Sequence, residues 1–169
     1  RRPAEKERAD DALLAERVLL TLLAEGAVPA EMLREDDFVI CCDSGLRHRE
    51  QLGAEPDLIV GDFDSCNDPH LDIETITLPR EKDDTDTQLA VEEAIRRGAE
   101  EIIIIGGLGG RLDHTLSTLA ILEDLHARGV YATLTDGQSR ARYLRDTSTL
   151  IARSAYKYLS VVAADTVVK

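Results

Sequence analysis

Carboxylates and glycines recur in this chain directly after successive apolar runs. Asp43 follows the apolar run FVICC (38–42), and Asp62 and Asp64 follow LIV in PDLIVGDFDS (56–65). Lys82, Asp83, Asp84 and Asp86 follow IETITLP (73–79), and Gly106, Gly107, Gly109, Gly110 and Arg111 follow EIIII. Clustered carboxylates repel one another unless a cation lies between them. Hard oxygen ligands suit Mg²⁺, which keeps room for water and phosphate. A glycine loop that opens a helix offers bare backbone N–H groups and a positive helix end to phosphates. Arg111 adds a forked donor. Together, acid and glycine read as a metal–nucleotide site.

Each member has a plainer reading. Asp83, Asp84 and Asp113 can be helix caps, and GDFDS can be a turn. Glycine pairs occur wherever a chain turns. His114 can be a helix-face histidine, and Lys82 and Arg111 can be surface charges. Their recurrence after successive strands lifts the set above its members, because ligands of parallel α/β sheets lie beyond the carboxyl ends of the strands.

The elements that must position these residues alternate. RVLLTLL (17–23) reads as a buried strand and VPAEMLRE (28–35) as a helix. FVICC is a second strand, followed by Asp43-Ser44-Gly45 and a short helical stretch to Leu52. Strands follow in the first half of 56–65 and over 73–79. In 82–98, Thr85 and Gln88 have capping-box spacing, so a helix starts there, with Val91, Ala94 and Ile95 as its apolar stripe and Gly98 as its stop. EIIIIGG (101–107) is an apolar strand of the kind covered on both faces. LDHTLSTLAILEDLHARG (112–129) reads as a helix with Leu112, Leu116, Leu119, Leu122 and Leu125 along one side. VYATLTD (130–136) is one more strand, and Asp136-Gly137 turns the chain. This alternation predicts an α/β catalytic domain over 17–137, a three-layer parallel sheet with helices on both faces.

After Gly137 the pattern changes. ARYLR, STLIAR, KYLSVVAA and TVVK read as short strands without helices. They suggest the start of a small antiparallel β-sandwich over 138–169, truncated at Lys169. Residues 1–16 form a charged extension without readable chemistry.

Composition narrows the partners. The net charge of −13 and pI near 4.7 argue against nucleic acid, which needs a basic surface. They allow a nucleotide carried by Mg²⁺. The cysteines Cys41, Cys42 and Cys66 are odd in number, with two adjacent, so no disulfide framework is implied and Cys41 and Cys42 read as a buried strand end. No apolar run approaches a membrane span, and the charged start does not resemble a signal peptide. A cytoplasmic protein is the expectation.

In this order, D-x-G at 43–45, P-D-L-I-V-G-D-F-D-S at 56–65, K-D-x-T-D at 82–86 and G-G-x-G-G-R-x-D-H at 106–114 resemble the thiamine pyrophosphokinase family, over residues 17 to about 165. The resemblance implies transfer of diphosphate from ATP to the hydroxyethyl oxygen of thiamine, giving thiamine diphosphate and AMP. It implies an α/β domain followed by a β-sandwich, and a homodimer with sites near the subunit interface. It assigns Asp43, Asp62, Asp64 and Asp86 to magnesium and phosphate, with Asp64, Asp86, Lys82 and Arg111 nearest the chemistry. Gly45, Thr85, Gly106, Gly107, Gly109, Gly110, Arg111, Asp113 and His114 fall on the nucleotide side. The family commonly has Gly where Ser44 stands, and an Asn after the His where this chain reads Ser117 and Thr118. Its distal Ser-Asn motif and an aromatic that stacks on thiamine are expected beyond Lys169. A hydroxymethyl-pterin diphosphokinase, a non-catalytic nucleotide- or thiamine-binding regulator, and a structural domain with acidic caps are the competing readings.

Overall fold

The computed structural model of the chain describes residues 17–21 (backbone alone at 19–21), 33–42, 45, 53, 55–61, 73–77, 86–152 and 156–164. Among the described residues seven strands form one sheet: β1 (Arg17–Thr21), β2 (Phe38–Cys42), β3 (Leu58–Gly61), β4 (Glu74–Thr77), β5 (Glu101–Ile105), β6 (Tyr131–Thr135) and β7 (Arg140–Ala141). Two helices are described, α1 (Asp86–Arg96) and α2 (Leu112–Ala127). The strand order is β4-β3-β2-β1-β5-β6-β7. β1 to β6 are parallel, and β7 closes the sheet as an antiparallel hairpin on β6. The α/β class expected from the alternation is the class found.

The central strands are buried on both faces, so their apolar runs are continuous rather than alternating. Phe38, Ile40 and Cys42 of β2 and Ile102 and Ile104 of β5 face one core, together with Ala90, Val91 and Ala94 of α1 and Ile121, Leu122 and Leu125 of α2. Val39, Cys41, Ile103 and Ile105 face the other, against Leu33. The handedness of crossovers explains this division. The connections from β4 to β5 and from β5 to β6 run the same way across the sheet, so right-handed crossovers put α1 and α2 on the same face. The connection from β1 to β2 runs the opposite way, and its Leu33 packs on the opposite face.

Both helices end in the same device. Gly98 (φ 87°) follows α1, with its N–H on the Ile95 carbonyl and the Ala99 N–H on the Ala94 carbonyl. Gly129 (φ 78°) ends α2 with the matching pair, to His126 and Leu125. This double hydrogen bond needs a left-handed residue, which glycine adopts without steric cost. The predicted stop at Gly98 is therefore seen in detail.

Three expectations are corrected. The leucine stripe of α2 divides: Leu122 and Leu125 are buried with Thr118 and Ile121, but Leu112, Leu116 and Leu119 are 72%, 57% and 37% exposed. The face that meets the sheet is 118–121–122–125, one step around the helix, because Thr118 is the residue that fits against the glycine loop. The end of the predicted 28–35 helix is not helical: Leu33 and Arg34 are irregular and Glu35–Asp36 form a turn, while 28–32 lie outside the described residues. Among the described residues beyond β7, no strand forms over 142–152 or 156–164. A strand needs a backbone partner, and among the described residues after β6 only Arg140 and Ala141 have one, in Thr135 and Leu134. Tyr143 instead folds back on α2, donating its hydroxyl to Glu123 at 2.9 Å and meeting the His126 ring edge-on. Leu150, Ile151, Tyr158, Leu159, Val161 and Val162 are exposed.

Candidate active site

Strand order determines which predicted residues become neighbours. β1 is flanked by β2, which starts the run toward β4, and by β5, which starts the run toward β6. The order reverses between β1 and β5, and the crevice at such a reversal is where open α/β sheets take ligands. Thr21 and Ile105, the last residues of β1 and β5, are paired there. The glycine loop leaves β5 at that point.

The loop is built from its glycines. Gly106, Gly109 and Gly110 have φ of 88°, 85° and 66°, a conformation costly for any side chain with a β-carbon. Gly107 is required for a different reason. A β-carbon on it would lie 2.7 Å from Thr118 Cγ2 and 2.9 Å from Leu134 Cδ1. Thr118, buried, donates its hydroxyl to the His114 carbonyl at 2.9 Å, and Thr115 donates its own to the Gly109 carbonyl at 3.3 Å. The first turns of α2 thus hold the loop from beneath. Neither threonine figured among the candidates. Thr118 stands in the stretch where the family's Asn is expected, and its burial against Gly107 is what a sequence pattern cannot display.

Arg111 takes the N-cap position of α2 in extended conformation and makes no side-chain cap. Its guanidinium instead forks onto Asp113, with Nε to Oδ1 at 3.1 Å and Nη2 to Oδ2 at 2.5 Å. Both side chains are exposed. The Arg111 fork, aided by the His114 backbone N–H, holds the Asp113 carboxyl below the usual range, and Asp113 in turn raises Arg111. The pair therefore stays charged, with an acid in the first helical turn, where the dipole favours it. His114 is exposed beside them.

The acidic side is partly in view. Asp86 opens α1, half-buried, and its carbonyl accepts the Cys42 thiol at 3.7 Å. The strand that leads into Asp43 and the strand that leads into Asp62 are adjacent, with Cys42 paired to Val60. Gly45 is buried. Asp43, Asp62, Asp64, Lys82, Asp83, Asp84 and Thr85 lie outside the described residues. Among the described residues no group of three or more His, Cys, Asp or Glu is placed to hold a metal ion. Cys41 and Cys42 are buried at the end of β2, as the strand-end reading expected. Asp57, within the PDLIVGDFDS block, has a structural role: its carboxylate accepts the Val39 N–H at 2.9 Å, and its own N–H donates to the Val39 carbonyl at 2.8 Å. No described helix is long and apolar enough to cross a membrane.

Known proteins share the fold of this chain. Thiamin pyrophosphokinase 1 of Caenorhabditis elegans is 37% identical over 83 residues, covering 44% of this chain and 33% of that protein. The thiamine pyrophosphokinase structure from Bacillus subtilis superposes with a TM-score of 0.63 at 26% identity, over 73% of this chain and 62% of that one. A thiamin pyrophosphokinase family protein from Enterococcus faecalis gives 0.58 at 32% identity, with the same coverage of 73% and 62%. The yeast thiamin pyrophosphokinase, at 15% identity and a TM-score of 0.55, shares the fold. This chain thus spans less than two thirds of the length of these relatives. The family model described as the thiamin pyrophosphokinase catalytic domain matches residues 29–134, more than half of the sequence, and the chain belongs to that family.

Proposed function

We propose that this chain carries the ATP-binding catalytic domain of a thiamine diphosphokinase. The observation that carries the proposal is the glycine loop at the sheet's reversal point, opening α2 with Arg111 at its head. Bare N–H groups, a helix N-terminus and a forked cation form one phosphate cradle. The family match over 29–134 supports ATP and thiamine as the substrates.

The thiamine hydroxyl oxygen attacks the β-phosphorus of ATP. A new O–P bond forms, the bond from the β-phosphorus to the α–β bridging oxygen breaks, AMP leaves, and the hydroxyl proton is released. Such transfers depend mainly on positioning and charge neutralisation. Asp43, Asp62, Asp64 and Asp86 would hold Mg²⁺, which supplies the positive charge that draws a triphosphate to an acidic edge. Their hard oxygens suit that ion, and the start of α1 at the end of β2 brings Asp86 beside the strand that precedes Asp43. Lys82 and Arg111 offset charge on the departing phosphate. The nucleotide competes with Asp113 for the Arg111 fork. Gly45, Thr85, Asp113 and His114 line the nucleotide side.

A cytoplasmic homodimer completes the proposal. Residues 138–169 would begin a β domain only once partner strands pair with them, and the exposed Leu150, Ile151, Tyr158, Leu159, Val161 and Val162 are what such a domain would bury.

Product analysis tests the reading. Incubation with ATP, Mg²⁺ and thiamine, followed by chromatography, is expected to show AMP rising in step with thiamine diphosphate. ADP with thiamine monophosphate, or a chain inert toward thiamine yet active on a hydroxymethyl-pterin, overturns it.

A further inference from the structure

We infer that Cys42 is a positioning residue for the acidic half of this site, an inference that rests on the proposed role of Asp86. β2 alternates its side chains between the two cores, and Cys42 is its last residue on the side that faces α1. One residue earlier, Cys41 faces the opposite core. The Cys42 thiol is nearly inaccessible, 5% exposed, and donates to the carbonyl of Asp86, the first residue of α1, at 3.7 Å. The two residues are 44 apart in sequence.

A carbonyl oxygen has two lone pairs, so that of Asp86 accepts this donor besides the usual bond of its own helix. Lower down, α1 packs on the sheet through Ala90, Val91 and Ala94, which set its distance from β2 and β3 but do not touch its first turn's backbone by hydrogen bond. The Cys42 bond acts on the first turn of α1, whose own N–H groups have no intrahelical partners to anchor it. Cys42 precedes Asp43, and its strand neighbour Val60 lies just before Gly61 and Asp62. One thiol therefore links the head of α1, carrying Asp86, to the paired strand ends that lead into the other carboxylates. Its effect on turnover runs through Asp86 and not through contact with substrate.

The test compares the full chain with Cys42→Ala and Cys42→Ser by two readouts: backbone hydrogen exchange over residues 86–90, and the Mg²⁺ concentration giving half-maximal transfer. Cys42→Ala is expected to speed exchange in that turn and raise the Mg²⁺ requirement roughly twofold to fivefold, the low end for one lost hydrogen bond because a thiol is a weak donor. Cys42→Ser keeps a donor and is expected to restore most of both. An alanine variant that matches the parent in either readout overturns the inference. So does a serine variant as impaired as alanine, because the effect would then belong to the volume of the sulfur. If the parent chain transfers nothing, the proposed function fails on its own, and the exchange comparison alone decides the Cys42 contact.

Discussion

Gly107 lies so close to Thr118 that a β-carbon on the glycine would come within 2.7 Å of the threonine Cγ2. Leu134 Cδ1 closes the space from the β6 side at 2.9 Å. Gly107→Ala therefore overpacks a buried seam, at a cost of about 1–3 kcal/mol. A melting temperature lower by roughly 3–10 °C is expected, together with weakened ATP binding as the loop shifts. Thr118→Ser removes the nearest methyl, so the double variant is expected to recover part of the loss. Equal melting temperatures for parent and Gly107→Ala would show that the seam yields.

Arg111 tests the phosphate cradle apart from stability. Its side chain is exposed and its partner Asp113 is equally so, hence Arg111→Ala is expected to leave the melting temperature within about 1 °C. Loss of a charge-assisted fork to phosphate is expected to raise the KM for ATP about tenfold to a hundredfold. Arg111→Lys keeps the charge and loses the fork, so it falls between. A KM unchanged in the alanine variant removes Arg111 from the site.

The strands at the centre of the sheet were legible because burial on both faces leaves an unbroken apolar run, as in 38–42 and 101–105. The helix stop at Gly98 was legible because it rests on local chemistry, a left-handed turn that glycine adopts freely. Spatial order was not legible. Nothing in the local sequence says that β5 returns to lie beside β1, yet that return places the glycine loop at the reversal of the sheet. The leucines of α2 misled because leucine recurs there at helical spacing on more than one face, and only contact with Gly107 and Leu134 selects the face through Thr118. The strands expected after β7 depended on a partner strand that the described residues do not supply. Thr115, Thr118 and the Cys42–Asp86 bond join positions whose proximity is a property of the fold.

Asp37 predicts an unusual pH dependence at the opposite edge of the sheet. Its buried carboxylate meets Arg17 Nη1 at 3.1 Å and accepts the Arg34 N–H at 2.7 Å, while Arg17 also reaches Glu101 at 3.6 Å. Burial raises the Asp37 carboxyl above 3.8, and the Arg34 N–H, Arg17 and Arg34 only partly offset that, with Asp36 adding to the rise. The folded chain thus holds this proton more tightly than the unfolded one. The contribution of Asp37 is fullest below 3.8 and is lost as pH rises through the folded value. Relative to the parent, Asp37→Asn is expected to become less destabilising, or more stabilising, between pH 4 and pH 7. Chemical denaturation across that range checks it, and a pH-independent difference contradicts it.

Glu93 carries the opposite sign. It accepts Arg96 Nε at 2.8 Å and Nη2 at 2.7 Å, and Arg97 Nε at 2.5 Å, while Arg97 bridges onward to Glu74 on the edge strand β4. Arg96, then Arg97, hold the Glu93 carboxyl below 4.5 against the opposing effect of burial. Its stabilisation is present above 4.5 and is lost as pH falls through the folded value. Arg96 is largely exposed, so solvent screens its share, and the better-buried Arg97 contact dominates. Glu93→Gln is expected to cost about 1 kcal/mol at pH 7, a fall of roughly 2–4 °C in melting temperature. That gap is expected to close as pH drops below 4.5. Because Arg97 also anchors Glu74, the variant is further expected to speed hydrogen exchange over 74–77 at pH 7. Unchanged exchange there would mean that Glu74 holds Arg97 without help from Glu93.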